Sequence, residues 1–331
     1  MVVRARAFWL REPGVGEIRH LSVADPGPAE VRVRALRSGI SRGTETLVFR
    51  GGVPASQRAV MRAPFQEGEL PGPVKYGYLS VGVVDAGPPS LLGCTVFCLY
   101  PHQSAYVVPA DAVVVVPDDV PVERAVLAGT LETAVNAIWD AAPLVGDRVV
   151  VVGAGMVGLC VARLLAGIPA VEVTVVDVDP ARAAVAQALG AAFALPGQAP
   201  TGCDLAVHAS ATSSGLQLSL DALAPEGTVL ELSWYGDAAV TLRLGGSFHS
   251  SRLALRASQV GTVSPAQRGR RSTTDRLRLA LSLLRDPAFD VLLTGSSPLD
   301  ELPAVMGRLA DGTLPALCHS VTYPEEPPCS A

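Results

Sequence analysis

The stretch Val149-Val150-Val151-Val152-Gly153-Ala154-Gly155-Met156-Val157-Gly158 decides how the rest of the chain is read. Four consecutive β-branched residues make a strand-length apolar run, a glycine-rich turn follows, and helical spacing continues to Ala166. In such a strand-turn-helix unit the first glycine permits the tight turn and the second lets backbone approach a pyrophosphate. The third lets the helix pack on the strand. The free N–H groups and partial positive charge of the helix N-terminus favour phosphate. Gly153, Gly155, Met156, Val157 and Gly158 are therefore the expected pyrophosphate site of a dinucleotide. Asp177, 24 residues beyond Gly153, falls where a carboxylate accepts hydrogen bonds from the adenosine ribose. That carboxylate repels a 2′-phosphate, and although Arg182 stands near enough in sequence to pair with one, NAD(H) is expected over NADP(H).

Downstream of this turn the strand and helix patterns alternate, through VEVTVVDVD, a helix from Pro180 to Leu189, DLAVHAS, a helix near Leu216 to Leu223, and GTVLELS. Successive units of this length predict a doubly wound parallel sheet of Rossmann type. Ligands collect beyond the carboxyl ends of such strands, so Ser210, Ser233, Ser258 and Gln259 are expected at the dinucleotide. Upstream, residues 1 to 118 read as short strands between Gly and Pro: Val31 to Leu36, Ser80 to Asp85, Thr95 to Leu99 and Tyr106 to Val108. A helix opens at Val122 and ends before Pro143. The expected layout is a β-rich domain from 1–118 and 266–331 around a dinucleotide-binding domain at 119–265. The Arg-rich stretch 264–278 reads as a surface loop leading into a helix from Thr274 to Leu284, and the closing PEEPPCSA as a frayed tail.

Composition narrows the function classes. With 331 residues, 49% hydrophobic and 17% charged, the chain can fill more than one core. A formal charge of −5 without a long basic run argues against a nucleic-acid surface. Apolar runs fall short of the roughly 20 residues that span a bilayer. The N-terminus has no signal-peptide pattern, so the cytoplasm is the expected location. Cys94, Cys98, Cys160, Cys203, Cys318 and Cys329 lack the pairing of a zinc ribbon, and Cys94 and Cys98 read as core thiols. Lys75 is the chain's one lysine.

GISRGTE at 39–45, GYLSVG at 77–82, LETAVNA, the glycine turn, VDVDPAR at 176–182 and LGA at 189–191 together resemble the medium-chain dehydrogenase/reductases. This is the alcohol dehydrogenase superfamily, with a GroES-like β-rich catalytic domain. SRGTE, LETAVNAIWDA and LSWYGD are most similar to a subgroup of bacteriochlorophyllide a dehydrogenase-like proteins. The resemblance covers nearly the whole chain and implies an NAD(P)-dependent oxidoreductase acting on a small molecule, with a homodimer as the family expectation. Zinc-dependent members have ligands where this chain has Ser41, Tyr78-Leu79 and Gly129, and catalytic zinc needs three ligands from His, Cys and carboxylate. No metal is therefore expected; a makeshift set of Glu45, His102 and Glu132 is the alternative.

Without zinc, hydrogen-bonding side chains must polarise the substrate oxygen and move one proton. Tyr78 is the candidate donor, with Lys75 as the cation that would lower its pKa if Gly77 bends the strand to bring them together. Ser41 frames the same pocket. His102 in PHQSAY is the candidate proton relay, in competition with His249, and Glu132 could orient a hydroxyl. Thr133 is the candidate contact to the nicotinamide ring. The leading expectation is a zinc-independent NAD(H)-linked enzyme interconverting a secondary alcohol and its ketone on a small, cyclic metabolite. Its alternatives are an NADPH-dependent enone or quinone C=C reductase and a catalytically silent dinucleotide-binding sensor or partner subunit.

Overall fold

The structure, a computed structural model, describes residues 3–323. The expected tail therefore lies outside the described residues, as does Cys329. Contacts divide the chain into two units, one running to Gly129 and resuming at Leu293, the other Thr130–Leu292.

The second unit is built on six parallel strands. In spatial order they are Ala192–Ala194, Glu172–Val176, Arg148–Val152, Cys203–His208, Leu223–Glu231 and Ala254–Ala257. Central strands covered on both faces must be apolar throughout, which is why Val149 to Val152 have no polar alternation. Val150, Val152, Val176, Ala206 and Val229 pack with Leu216 and Leu220 from the helix Ser213–Asp221. Strand order reverses direction between Arg148–Val152 and Cys203–His208, and the helix Met156–Ala166 starts beside that switch point.

The first unit is β-rich. Val3–Glu12 and Val15–Val23 form a hairpin in a four-stranded sheet with Val74–Lys75 and Glu67–Gly68. A seven-stranded sheet contains Glu30–Gly39, Ser80–Ala86, Thr95–Cys98, Ala105–Pro109, Val113–Val115, Leu293–Pro298 and Cys318–Thr322. Two helices not anticipated from the sequence, Arg42–Phe49 and Leu302–Asp311, belong to this unit. Tyr106 is fully buried and stacks on Tyr100 with ring centroids 3.8 Å apart.

Three expectations are corrected. The helix predicted from Val122 is two helices, Val122–Ala125 and Ala128–Ala141. The contact division falls at 129/130 and 292/293, against the expected 118/119 and 265/266, with the helix Thr273–Leu283 tied into the second unit. The tie is Arg276, which is 1% exposed, so the Arg-rich stretch is not all solvated loop. Finally, Cys94 is half-buried and precedes the strand Thr95–Cys98, so of these two thiols Cys98 alone is fully buried.

Candidate functional site

Each unit holds a cluster of polar groups. In the first unit the strand Glu30–Gly39 supplies Ser38, the helix Arg42–Phe49 supplies Glu45, and the segment after Thr95–Cys98 supplies His102. His102 is fully buried; its Nε2 lies 2.8 Å from Glu45 Oε2 and its Nδ1 lies 2.6 Å from Ser38 Oγ. Ser38 Oγ is in turn 2.7 Å from the hydroxyl of buried Tyr323. The second oxygen of Glu45 accepts from the Ser41 backbone N–H at 2.7 Å, so the carboxylate also caps the first turn of its own helix. Buried polar groups require partners, and this chain gives every member at least one.

Gly77 shapes this cluster. At φ +124° it adopts backbone that side chains avoid, and a methyl there would lie 2.8 Å from His102 Cδ2. The bend turns Lys75 and Tyr78 to different surroundings. Lys75 is fully buried, donating to Glu67, to Gln103 Oε1 at 2.6 Å and to the Tyr100 hydroxyl at 3.3 Å, over whose ring it also sits. Burial drives its pKa down, while Glu67 works against that shift. Tyr78 instead lies near Ser41, Thr44 and the Glu45 carboxylate. Burial first, then the negative charge of Glu45, pushes the Tyr78 phenol up to about 12. The expected lysine-activated phenol is thus corrected: Lys75 is engaged by Glu67, Gln103 and Tyr100, and the Tyr78 phenol stays protonated at neutral pH.

The positions that correspond to zinc ligands do not supply a zinc set. Leu79 is fully buried, and a methyl on Gly129 would stand 2.5 Å from Leu79 Cδ2, so aliphatic packing fills that place. Ser41 and a high-pKa phenol are what remain. Among the described residues no group of three or more His, Cys, Asp and Glu could hold a metal ion.

In the second unit the glycine turn has the form that a pyrophosphate cradle needs. Gly153 is at φ +110° against the Ala209–Ser210 peptide, and Gly155 caps the helix Met156–Ala166. A methyl on Gly158 would lie 2.0 Å from the Gly153 carbonyl oxygen, so helix and strand meet only because that side chain is missing. Asp177 accepts from the Ala154 N–H at 2.6 Å and from the Asp179 N–H at 2.9 Å, and a carboxylate with about four acceptor sites keeps capacity for ribose hydroxyls. Arg182 pairs with Asp179 at 3.2 Å. Gly158→Ala is expected to weaken NADH binding at least about tenfold by forcing the helix off the strand. Titration of NADH fluorescence would measure it, and unchanged affinity would contradict the cradle.

The remaining sequence candidates separate. Glu132 is buried and accepts from Arg276 Nε at 3.0 Å; burial raises its pKa while the guanidinium holds it down. It is anchored within the second unit by this pair. Thr133 is half-buried on the same helix. Ser258 Oγ donates to Asp140 at 2.6 Å, and Gln259 Oε1 accepts from Gly261 N at 2.6 Å. Ser210 and Ser233 lie beside His208 and Glu231, a buried pair that the sequence reading passed over. His249 is exposed on a single turn, Ser247–Ser250. No described helix is long and apolar enough to cross a membrane.

The fold is the two-domain fold of alcohol dehydrogenase-like structures, with a GroES-like β-rich unit and a Rossmann unit. L-idonate 5-dehydrogenase from Escherichia coli str. K-12 substr. MG1655 matches with a TM-score of 0.80 at 16% identity, covering 97% of this chain and 99% of that one. A short chain alcohol dehydrogenase from E. coli CFT073, complexed with NADH, matches at 0.77 and 18% identity, covering 96% and 99%. In sequence, 82 residues are 39% identical to L-threonine 3-dehydrogenase of Chelativorans sp. (strain BNC1), 25% of this chain and 24% of that protein. The aligned part thus spans about a quarter of the curated relative's length. No family model matches the chain.

Proposed function

We propose that the chain is a zinc-independent, nicotinamide dinucleotide-dependent oxidoreductase that interconverts a secondary alcohol and its ketone, with NAD(H) preferred. The observation that carries this reading is the buried hydrogen-bonded chain Glu45–His102–Ser38–Tyr323, with the Tyr78 phenol, held protonated by burial, near Glu45. Bound in the second unit, the nicotinamide would supply or accept the hydride. Gly153, Gly155 and Gly158 would receive its pyrophosphate, and Asp177 its adenosine ribose. Val178, 80% exposed next to Asp177, offers apolar surface to an adenine.

In the first unit Tyr78 donates its hydroxyl hydrogen to the substrate oxygen, which is what an oxygen gaining negative charge requires. His102, clamped between Glu45 and Ser38, joins the hydrogen-bonded chain of the same unit without being exposed to solvent. The solved likenesses are dehydrogenases by name, and one binds NADH. The curated match is a dehydrogenase of a secondary alcohol.

Tyr78→Phe is expected to reduce kcat on a secondary alcohol about 100- to 1000-fold with the Kd for NADH unchanged. His102→Gln should lower kcat by breaking the link between Glu45 and Ser38. Steady-state assays with NAD(H) and NADP(H) across secondary alcohols, ketones and enones, with metal analysis of the same preparation, decide the matter. Turnover of enones alone with NADPH would replace this reading with a C=C reductase. NADH binding without turnover would favour the sensor, and activity that depends on stoichiometric zinc would overturn zinc independence.

A further inference from the structure

The helix Ala128–Ala141 carries three polar side chains on successive turns of one face, Glu132, Asn136 and Asp140, all of them buried. Buried Arg276, from the helix Thr273–Leu283, joins them by donating to Glu132 and Asn136. What the group holds is backbone. Arg276 donates to the carbonyls of Val260 and Thr262, and Asn136 Nδ2 donates to the carbonyl of Gln259 at 3.4 Å. Asn136 Oδ1 also accepts from the Ser264 N–H at 3.0 Å. Asp140 anchors the start of the same segment, accepting from Ser258 Oγ at 2.6 Å, from Asn136 Nδ2 at 3.2 Å and from Arg256 at 3.3 Å. All of these residues lie in the second unit.

A segment outside helix and sheet has no ladder of its own, so its carbonyls need partners from elsewhere. Packed apolar side chains would fill the same space at no greater cost than a buried ion pair, but they cannot hold a carbonyl. The polar face therefore sets the path of 258–264 as well as filling space. The outer side of the segment is open, with Gln259, Gly261 and Thr262 exposed and Ser258 and Val260 half-buried. It follows the strand Ala254–Ala257, at the carboxyl edge where ligands of a doubly wound sheet collect. In spatial order that strand stands three places from Arg148–Val152, about 14 Å at the usual spacing, on the side away from Glu172–Val176. Asp177, proposed above for the adenosine ribose, follows Glu172–Val176, so the nicotinamide half falls on the side of 258–264.

We propose that Asn136, Asp140 and Arg276 are positioning residues that set the backbone of 258–264 before the dinucleotide arrives and so strengthen binding of its nicotinamide half in particular. A wall already in place spares the ligand the cost of ordering it, and the gain belongs to the part of the ligand that meets the wall. The inference rests on the dinucleotide reading above and deepens it, by naming the residues that order one end of that site.

ADP-ribose separates the two ends of the ligand, because it has the adenosine and the pyrophosphate but no nicotinamide. Dissociation constants of NADH and ADP-ribose are measured by calorimetry on the full chain, for the native protein, Asn136→Leu and Asp140→Ala. Amide hydrogen exchange across 258–264 is followed without ligand on the same three proteins. Exchange across the segment is expected to be at least about tenfold faster in Asn136→Leu. NADH is expected to bind at least about fivefold more weakly in both variants, with ADP-ribose held within about twofold. Equal weakening of both ligands marks a purely structural role and overturns the proposal, and so does exchange as slow as in the native protein. NADH affinity unchanged within about twofold in Asp140→Ala, at an unaltered unfolding midpoint, also overturns it. If Asn136→Leu fails to fold, Asp140→Ala decides by the same comparison of the two ligands. If the native protein binds neither ligand, the functional reading falls and this falls with it; if it binds both and the variants do not separate them, this inference alone is lost.

Discussion

Raising the pH from 10 to about 11.5 is expected to unfold the β-rich unit in one steep step. Burial holds the phenols of Tyr76, Tyr78, Tyr100, Tyr106 and Tyr323 protonated beyond their ordinary value of 10.0, and keeps the thiols of Cys98 and Cys318 protonated to about 12 against an ordinary 9.0. The unfolded chain would ionise all seven groups near their ordinary values, so above pH 10 the folded unit binds more protons than the unfolded chain and loses stability as pH rises. Each group removes about 1.4 kcal/mol per pH unit past its unfolded pKa. By pH 11 the seven together remove on the order of 10 kcal/mol, comparable to the whole stability of a domain. Lys75 opposes the trend, because its pKa is depressed when folded, but it is one group against seven. Phenolate absorbance and far-ultraviolet dichroism followed together from pH 9 to 12 check this. Phenols that titrate smoothly around pH 10 with the dichroism intact would show that they are not buried as described.

Arg276→Met is expected to cost the second unit about 3 to 5 kcal/mol. The guanidinium, 1% exposed, donates to Glu132 at 3.0 Å, to Asn136 Oδ1 at 2.6 Å, to the Thr262 carbonyl at 3.1 Å and to the Val260 carbonyl. Removing it strands a buried carboxylate and three acceptors at once, and an unpaired buried charge costs more than a packed apolar substitute. Adding Glu132→Leu to the same chain should recover part of the loss, which separates the stranded charge from the other lost bonds. Urea unfolding of the single and double variants gives the comparison. A single variant within about 1 kcal/mol of the native chain would mean that Arg276 contributes little beyond its packing.

How legible all this was in the sequence depended on distance along the chain. The Rossmann turn, the helix Met156–Ala166 and the alternation after it were readable because apolar runs and glycine positions are local signals. Arg276 was not, since its partners Glu132 and Asn136 lie 144 and 140 residues away and an arginine in a basic stretch reads as solvated. Lys75 and Tyr78 were singled out correctly as unusual positions but paired wrongly, because Gly77 bends the backbone and Lys75 finds Glu67 and Gln103 instead. His208 and Glu231 carried a usable signal: each is a polar residue closing a strand right after an apolar pair, Ala206-Val207 and Val229-Leu230, and in a parallel sheet such ends become neighbours. Ser38 and Tyr323 gave none, being 285 residues apart.

The single lysine of the chain has an experimental corollary. With Lys75 sealed beneath Tyr100 and Gln103, no lysine side chain on the folded surface is open to acylating reagents, amine crosslinkers or enzymes that modify lysine. Side-chain amine labelling therefore becomes a clock for opening of the β-rich unit: the rate at which a slow acylating probe marks Lys75 reports how often that core exposes itself, residue-specifically and without an engineered tag.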